Sequence, residues 1–169
     1  MPEAKPARQK ATLLWSTAAL VVAADQLTKL WAVGNLAPDR QLRLTGFLQL
    51  TYGENTGAVF GLFQGQSSAL TVAGLAGLLA LFLIYRHWPW DVPAGFAALG
   101  LLFGGAVGNL SDRILRGYVV DFLDFHIGEL FHWPAFNIAD SAITIGVFLL
   151  VYYGLSVQRR RKCDHAPGP

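Results

Sequence analysis

Asp140 stands at the threshold of an 18-residue charge-free run, Ser141 to Gln158, and Asp121 lies nineteen positions upstream in the β-branched and aromatic stretch "GYVVDFLDF". Acids are costly in apolar surroundings, so acids found there are candidates for function. Two carboxylates in one low-dielectric niche resist ionising together, and one keeps its proton while the other loses it. Such a pair can hold a water molecule, the charged member acting as base and the neutral member polarising a peptide carbonyl. The protons then belong to the pair rather than to either acid. Asp124 is placed as well as Asp121, and spacing leaves both open as the partner of Asp140.

The other polar side chains near apolar runs are Asp25, Lys29, Asn55, Asn109, Asp112, Arg113, Arg116 and Asn137. Each has a structural reading beside the functional one. Asp25 and Lys29 are spaced i, i+4 with the acid first, the favourable order for a helical ion pair. Asp112 and Arg116 repeat that spacing. The asparagines can cap backbone near helix ends, and Asp140 can act as an N-cap whose charge suits the helix dipole. What favours function is convergence, because all of these residues fall at one end of the elements that carry them.

Those elements are set by composition. The chain is 53% apolar and 14% charged, with mean hydropathy +0.40 over 169 residues, too apolar for an ordinary soluble domain of this length. A bilayer core needs roughly 20 apolar helical residues to cross it. Four stretches qualify, giving spans expected at about 12–33, 68–85, 93–112 and 140–157 within a single domain covering residues 1–169. The intervening outer segments are 34–67 and 113–139, and the tails are 1–11 and 158–169. With both termini inside, eight Lys and Arg lie on the cytoplasmic side and five outside, which favours that orientation. The polar cluster then faces the outer leaflet. A net charge of +2 with a basic tail fits contact with anionic membrane lipids rather than nucleic acid. The expected class is an all-α membrane protein with a small extracytoplasmic β-hairpin. The hairpin is read from "QLRLTGFLQLTY", Gln41 to Tyr52, whose leucines alternate about a Thr45-Gly46 turn. "GYVVDFLDF" can supply another strand. The first span resembles a secretory signal, but its apolar stretch continues past Asp25 to Lys29 and three more spans follow, so it reads as a retained helix.

Competing chemistries fit less well. Ser141 with Lys29 suggests a Ser/Lys peptidase, which needs a neutral lysine, whereas Lys29 has Asp25 at hand. His126 and His132 in "HIGELFH" are six apart, not the i, i+4 spacing of zinc-binding helices, and read with Glu129 as interfacial loop residues. The lone Cys163, in the basic tail, builds neither disulfide nor metal site. A proton-coupled carrier is the rival from another class, yet the internal repeats and midplane site common in carriers are missing from the pattern.

Five blocks, "DQLTK", "ENTGAVFG", "GGAVGNLSDR", "GYVVDF" and "FNIADSAITIG", together resemble the bacterial lipoprotein signal peptidase (signal peptidase II) family. The resemblance implies an aspartic endopeptidase of the bacterial inner membrane, with no metal and no cofactor. Its substrates are diacylglyceryl-modified prolipoproteins, cut just before the lipidated cysteine. Carried onto this sequence, it places the catalytic dyad on Asp121 and Asp140. Asp25, Lys29, Asn55, Asn109, Arg113 and Asn137 become residues that orient the dyad and the substrate. It also implies a sheet-like cradle and a short surface helix outside the membrane. Ser111 departs from the bulkier apolar residue such a motif would carry, which bears on local packing alone.

Overall fold

A computed structural model describes residues 4–36, 41–57, 63–87, 92–127 and 131–164. Four helices, α1 (Ala4–Leu36), α2 (Ser67–Arg86), α3 (Pro93–Arg116) and α4 (Ile138–Asp164), are joined by a four-stranded antiparallel sheet. The strands are β1 (Leu42–Arg43), β2 (Leu48–Asn55), β3 (Val119–Ile127) and β4 (Phe131–Phe136), ordered β1-β2-β3-β4. Each helix has a window long and apolar enough to cross a membrane.

α3 is the central helix, and it takes its N1 from Pro93 and ends in a left-handed Gly117 at φ +83. Its glycines let neighbours approach: a Cβ on Gly104 would lie 2.6 Å from the Val21 Cβ and 2.7 Å from the Ala18 carbonyl. On the facing side of α1, the buried positions are Leu14, Ala18, Val21, Asp25, Lys29, Ala32 and Leu36, a single stripe at spacings of three or four. Asp25 and Lys29 thus occupy core positions in an apolar seam. Below them Leu14 and Ala18 pack with Leu99 and Phe103, and above them Ala32 and Leu36 pack with Val120 and Phe122 of β3. The polar layer lies between two apolar clusters. α2 has no buried residue and leans on the first cluster through Leu78, Leu81 and Tyr85.

The hairpin expected over Gln41–Tyr52 is present, with Leu42 opposite Leu50 and the Leu44 and Thr45 amides donating to the Leu48 carbonyl. The further strand expected from "GYVVDFLDF" is present too, and a fourth that the sequence reading did not foresee completes the sheet. "GYVVDFLDF" forms β3, which pairs with β2 so that Gly53 faces Asp121, and "FHWPAF" forms β4. The histidines are accordingly strand residues, not loop residues: His126 and His132 are paired across β3 and β4 with rings stacked at 6.3 Å. Glu129 lies outside the described residues. Among the described residues there is no short surface helix.

Gly104→Val should lower the thermal unfolding midpoint in detergent, at a cost of about 1–3 kcal/mol, because the added carbons meet backbone as well as side chain. An unchanged midpoint would show that α1 and α3 do not need this close contact.

Candidate active site

The site begins with a lysine that water cannot reach. Lys29 is 0% exposed and its ammonium has three acceptors: Asp25 Oδ2 at 2.8 Å, Asp112 Oδ2 at 3.0 Å and Asn109 Oδ1 at 3.0 Å. Three donors meet three oxygens, which a buried ammonium requires. Arg116 pairs with the other oxygen of Asp112, so two acids and two bases balance in this layer. Gln26 ties them further, its amide donating to Asp25, Asp112 and the Gly108 carbonyl. A Cβ on Gly108 would come within 2.5 Å of Asp25 Oδ2, and glycine leaves that space free.

From this layer two carboxylates hold backbone. Asp25 Oδ1 accepts the Ala139 amide at 2.9 Å, in the first turn of α4, and Asp112 Oδ2 accepts the Val120 amide at 3.1 Å, one residue before Asp121. The elements that carry Asp121 and Asp140 are thereby fixed to α1 and α3.

Asp140 is not the N-cap of its helix. Asn137 is: its Oδ1 accepts the Asp140 amide at 2.9 Å, while Asp140 Oδ2 accepts the Asn137 amide at 3.3 Å. This reciprocal pairing of N-cap and N3 is a capping box built with Asn and Asp. It leaves Asp140 Oδ1 to accept Asn109 Nδ2 at 2.7 Å. Asn137 also donates its Nδ2 to Asp121 Oδ1 at 2.7 Å, so one asparagine contacts both carboxylates. Asn55, at the end of β2, donates to Asp121 Oδ2 at 2.9 Å.

Asp121 and Asp140 line one cavity of about 870 Å³. Asn55, Asn109 and Arg113 line it beside them, and Ile143, Thr144 and Ile145 extend it along α4. Arg113 Nη2 donates to the Gly57 carbonyl at 3.1 Å, and its Nε is buried without a hydrogen-bond partner among the described residues. Burial, then the charge of Asp140, pushes the Asp121 carboxyl up to about 6, against the downward pull of the Asn55 and Asn137 hydrogen bonds and of Lys29. Two acids repelling each other in a desolvated cleft produce such a displacement.

The two acids of the expected dyad and the four side chains Asn55, Asn109, Arg113 and Asn137 therefore meet at one cavity or touch its carboxylates. Asp25 and Lys29 stand behind it and act on it through Asn109 and the α4 backbone. Asp124 is turned to other partners, Gln49 Nε2 at 2.6 Å and His132 Nε2 at 3.1 Å. The Ser/Lys pairing is not formed: Ser141 Oγ donates to the Asn137 carbonyl, and Lys29 is committed to Asp25, Asp112 and Asn109. Ser111 Oγ donates to Val107 within its own helix. Sequence reasoning treated Asp112 as a helical ion pair and passed over Gln26. The i, i+4 link from Asp112 to Arg116 was a readable signal, whereas the Val120 contact was not. Among the described residues no group of His, Cys, Asp and Glu could hold a metal ion.

Membrane-length helices around a polar cavity with paired carboxylates describe a membrane enzyme, and the comparisons agree. Residues 17–156 match the family model described as signal peptidase (SPase) II. A lipoprotein signal peptidase of Thermodesulfovibrio yellowstonii is 44% identical over 136 residues, covering 80% of this chain and 90% of its relative. One from Francisella tularensis subsp. mediasiatica is 40% identical over 149 residues, covering 85% and 91%. A solved structure described as a bacterial membrane enzyme superposes with a TM-score of 0.78 at 32% identity, covering 90% of this chain and 91% of that one. The chain belongs to the signal peptidase II family, a family of membrane peptidases that process bacterial lipoproteins.

The raised Asp121 carboxyl has a consequence for stability. Its folded value of about 6 exceeds the ordinary 3.8, so the fold binds this proton more tightly than the unfolded chain does. The resulting stabilisation is complete below pH 4 and is lost as pH rises through 6. Wild type should therefore lose up to ~3 kcal/mol relative to Asp121→Asn across that window. Thermal melts from pH 4 to 7 measure it, and parallel curves for the two proteins would contradict it.

Proposed function

We propose that Asp121 and Asp140 form the catalytic pair of an aspartic endopeptidase acting on diacylglyceryl-modified prolipoproteins, with cleavage immediately before the lipidated cysteine. The observation that carries this reading is the shared cavity in which Asn137 hydrogen-bonds both carboxylates. With one proton between them, the ionised acid takes a proton from a water molecule as that water attacks the scissile carbonyl carbon. The neutral acid donates its proton to the carbonyl oxygen. In the second step the acid that took the water's proton passes it to the amide nitrogen while the other, now ionised, takes a proton from a hydroxyl of the gem-diol; the C–N bond breaks, the signal segment leaves with a new carboxyl terminus, the new amino terminus carries the lipidated cysteine, and the pair again holds one proton.

The supporting residues have distinct tasks. Asn55, Asn109 and Asn137 aim the acids by occupying chosen lone pairs. Arg113 lines the cavity and brings a positive charge beside the acids. Lys29 sets the charge behind Asn109 and balances Asp25 and Asp112. The apolar wall of α4 gives the acyl chains or the signal segment a surface that continues into the bilayer. Both termini lie in the cytoplasm of a bacterial cell whose inner membrane holds the chain, with the carboxylates at the outer leaflet, on the strength of the eight-to-five excess of basic residues. There the scissile bond reaches the acids while its lipid stays in the membrane.

Asp121→Asn and Asp140→Asn should each reduce cleavage of a diacylglyceryl precursor to background. Asp124→Asn should keep turnover, and a chelator should change nothing. Purified variants assayed with lipidated and unlipidated precursor side by side decide the matter. Activity surviving either aspartate change, or equal cutting of unlipidated precursor, would overturn the assignment.

A further inference from the structure

α4 presents five residues to the cavity that holds the two carboxylates: Asp140, Ser141, Ile143, Thr144 and Ile145. A helix turns about 100° per residue, so Thr144 projects about 40° from Asp140, at the middle of the arc those residues occupy. The buried positions Ala139, Ala142 and Gly146 lie on the opposite side, where a Cβ on Gly146 would meet the Ala98 carbonyl of α3 at 3.0 Å. Thr144 therefore faces the cavity and not the helix packing. Its hydroxyl is also uncommitted. Thr12, Thr28, Thr71, Ser111, Ser141 and Ser156 each donate to the carbonyl four residues back in their own helices. Thr144 makes no hydrogen bond among the described residues. It lies in the membrane-length window Ile138–Ser156, between Ile143 and Ile145, where a hydroxyl without a partner is costly.

We infer that the Thr144 hydroxyl donates to a peptide carbonyl of the precursor about two residues from the scissile bond, on the signal-segment side. This rests on the dyad reading above. Four helical residues advance about 6 Å and an extended peptide about 3.3 Å per residue, so a chain cut at Asp140 reaches Thr144 about two residues away. The direction follows from α4, which leads from Asp140 into its membrane-length window, the way an apolar signal segment continues while the mature segment leaves toward water. A scissile carbonyl inside a helix would be tied to the amide four residues on, so the chain around it has to be extended for attack. Extension in apolar surroundings frees carbonyls that need a donor, and Thr144 supplies one. The acyl ester carbonyls of the diacylglyceryl group offer the same acceptor chemistry, and the test separates the two sources.

The test compares purified Thr144→Val, which keeps the shape and loses the hydroxyl, with Thr144→Ser, which keeps the hydroxyl. The precursors carry their two lipid chains through either ester or ether links. Thr144→Val should raise KM about 3- to 10-fold on both precursors, with kcat and the thermal midpoint in detergent little changed, while Thr144→Ser stays near wild type. A midpoint that moves in Thr144→Val while KM stays in place assigns the hydroxyl to the helix alone and overturns the inference. A KM rise confined to the ester-linked precursor overturns the peptide carbonyl and gives the hydroxyl to an acyl ester. Asp121→Asn and Asp140→Asn are assayed on the same precursors. Cleavage that survives either change overturns the dyad, and with it the two-residue spacing counted from Asp140. Cleavage that needs both acids, with KM unchanged in Thr144→Val, overturns the role of Thr144 and leaves the dyad standing.

Discussion

The structure depends on one ammonium group kept out of water. Lys29 can remain charged where no solvent reaches it only while all three of its donors are bonded, and its acceptors come from α1 and α3. The two acids that meet it then use their remaining lone pairs on the backbone of α4 and β3. Four elements are thus fixed about one cation. Removing any member leaves a buried charge unmatched, a penalty of about 3–5 kcal/mol.

The asparagines turn this rigidity into direction. The amide of Asn109 has its oxygen toward the cation and its nitrogen toward Asp140, and reversing it would set donor against donor and acceptor against acceptor. Asn137 caps a helix and contacts both acids with the same few atoms. The acids are neither neutralised by a direct ion pair nor left to water, which is the condition for a proton to be held between them. A lysine in direct contact with Asp121 or Asp140 would hold that acid ionised and remove the second proton donor.

Much of this was legible in the chain. Four long apolar runs announced the helices, because span length is set by bilayer thickness and is insensitive to packing. The convergence of Asn55, Asn109, Arg113, Asn137, Asp121 and Asp140 was legible too, since alternating helix directions put their ends on one side. Spacing did not tell whether Asp121 or Asp124 faces Asp140, since both lie on β3; the family resemblance of "GYVVDF" pointed to Asp121, and the contacts with Gln49 and His132 show what occupies Asp124. β4 was hidden because "FHWPAF" carries a proline and a histidine, and its pairing with β3 is long-range information. The capping box was hidden in a different way: Asn-x-x-Asp at a helix start reads equally well with either residue as the cap, and only the hydrogen bonds distinguish them.

α2 stands apart from this network: it has no buried residue, and among the described residues it leans on the apolar cluster of Leu14, Ala18, Leu99 and Phe103 and on a few aromatic rings. Its 20 residues span about 30 Å, the thickness of a typical hydrocarbon core. When the surrounding bilayer is thicker or thinner, the least anchored helix is the one that leans, at a modest energetic cost per ångström of mismatch. The protein therefore has a compliant strut on its flank that takes up changes in lipid composition, while the ion-locked trio of α1, α3 and α4 holds its dimensions.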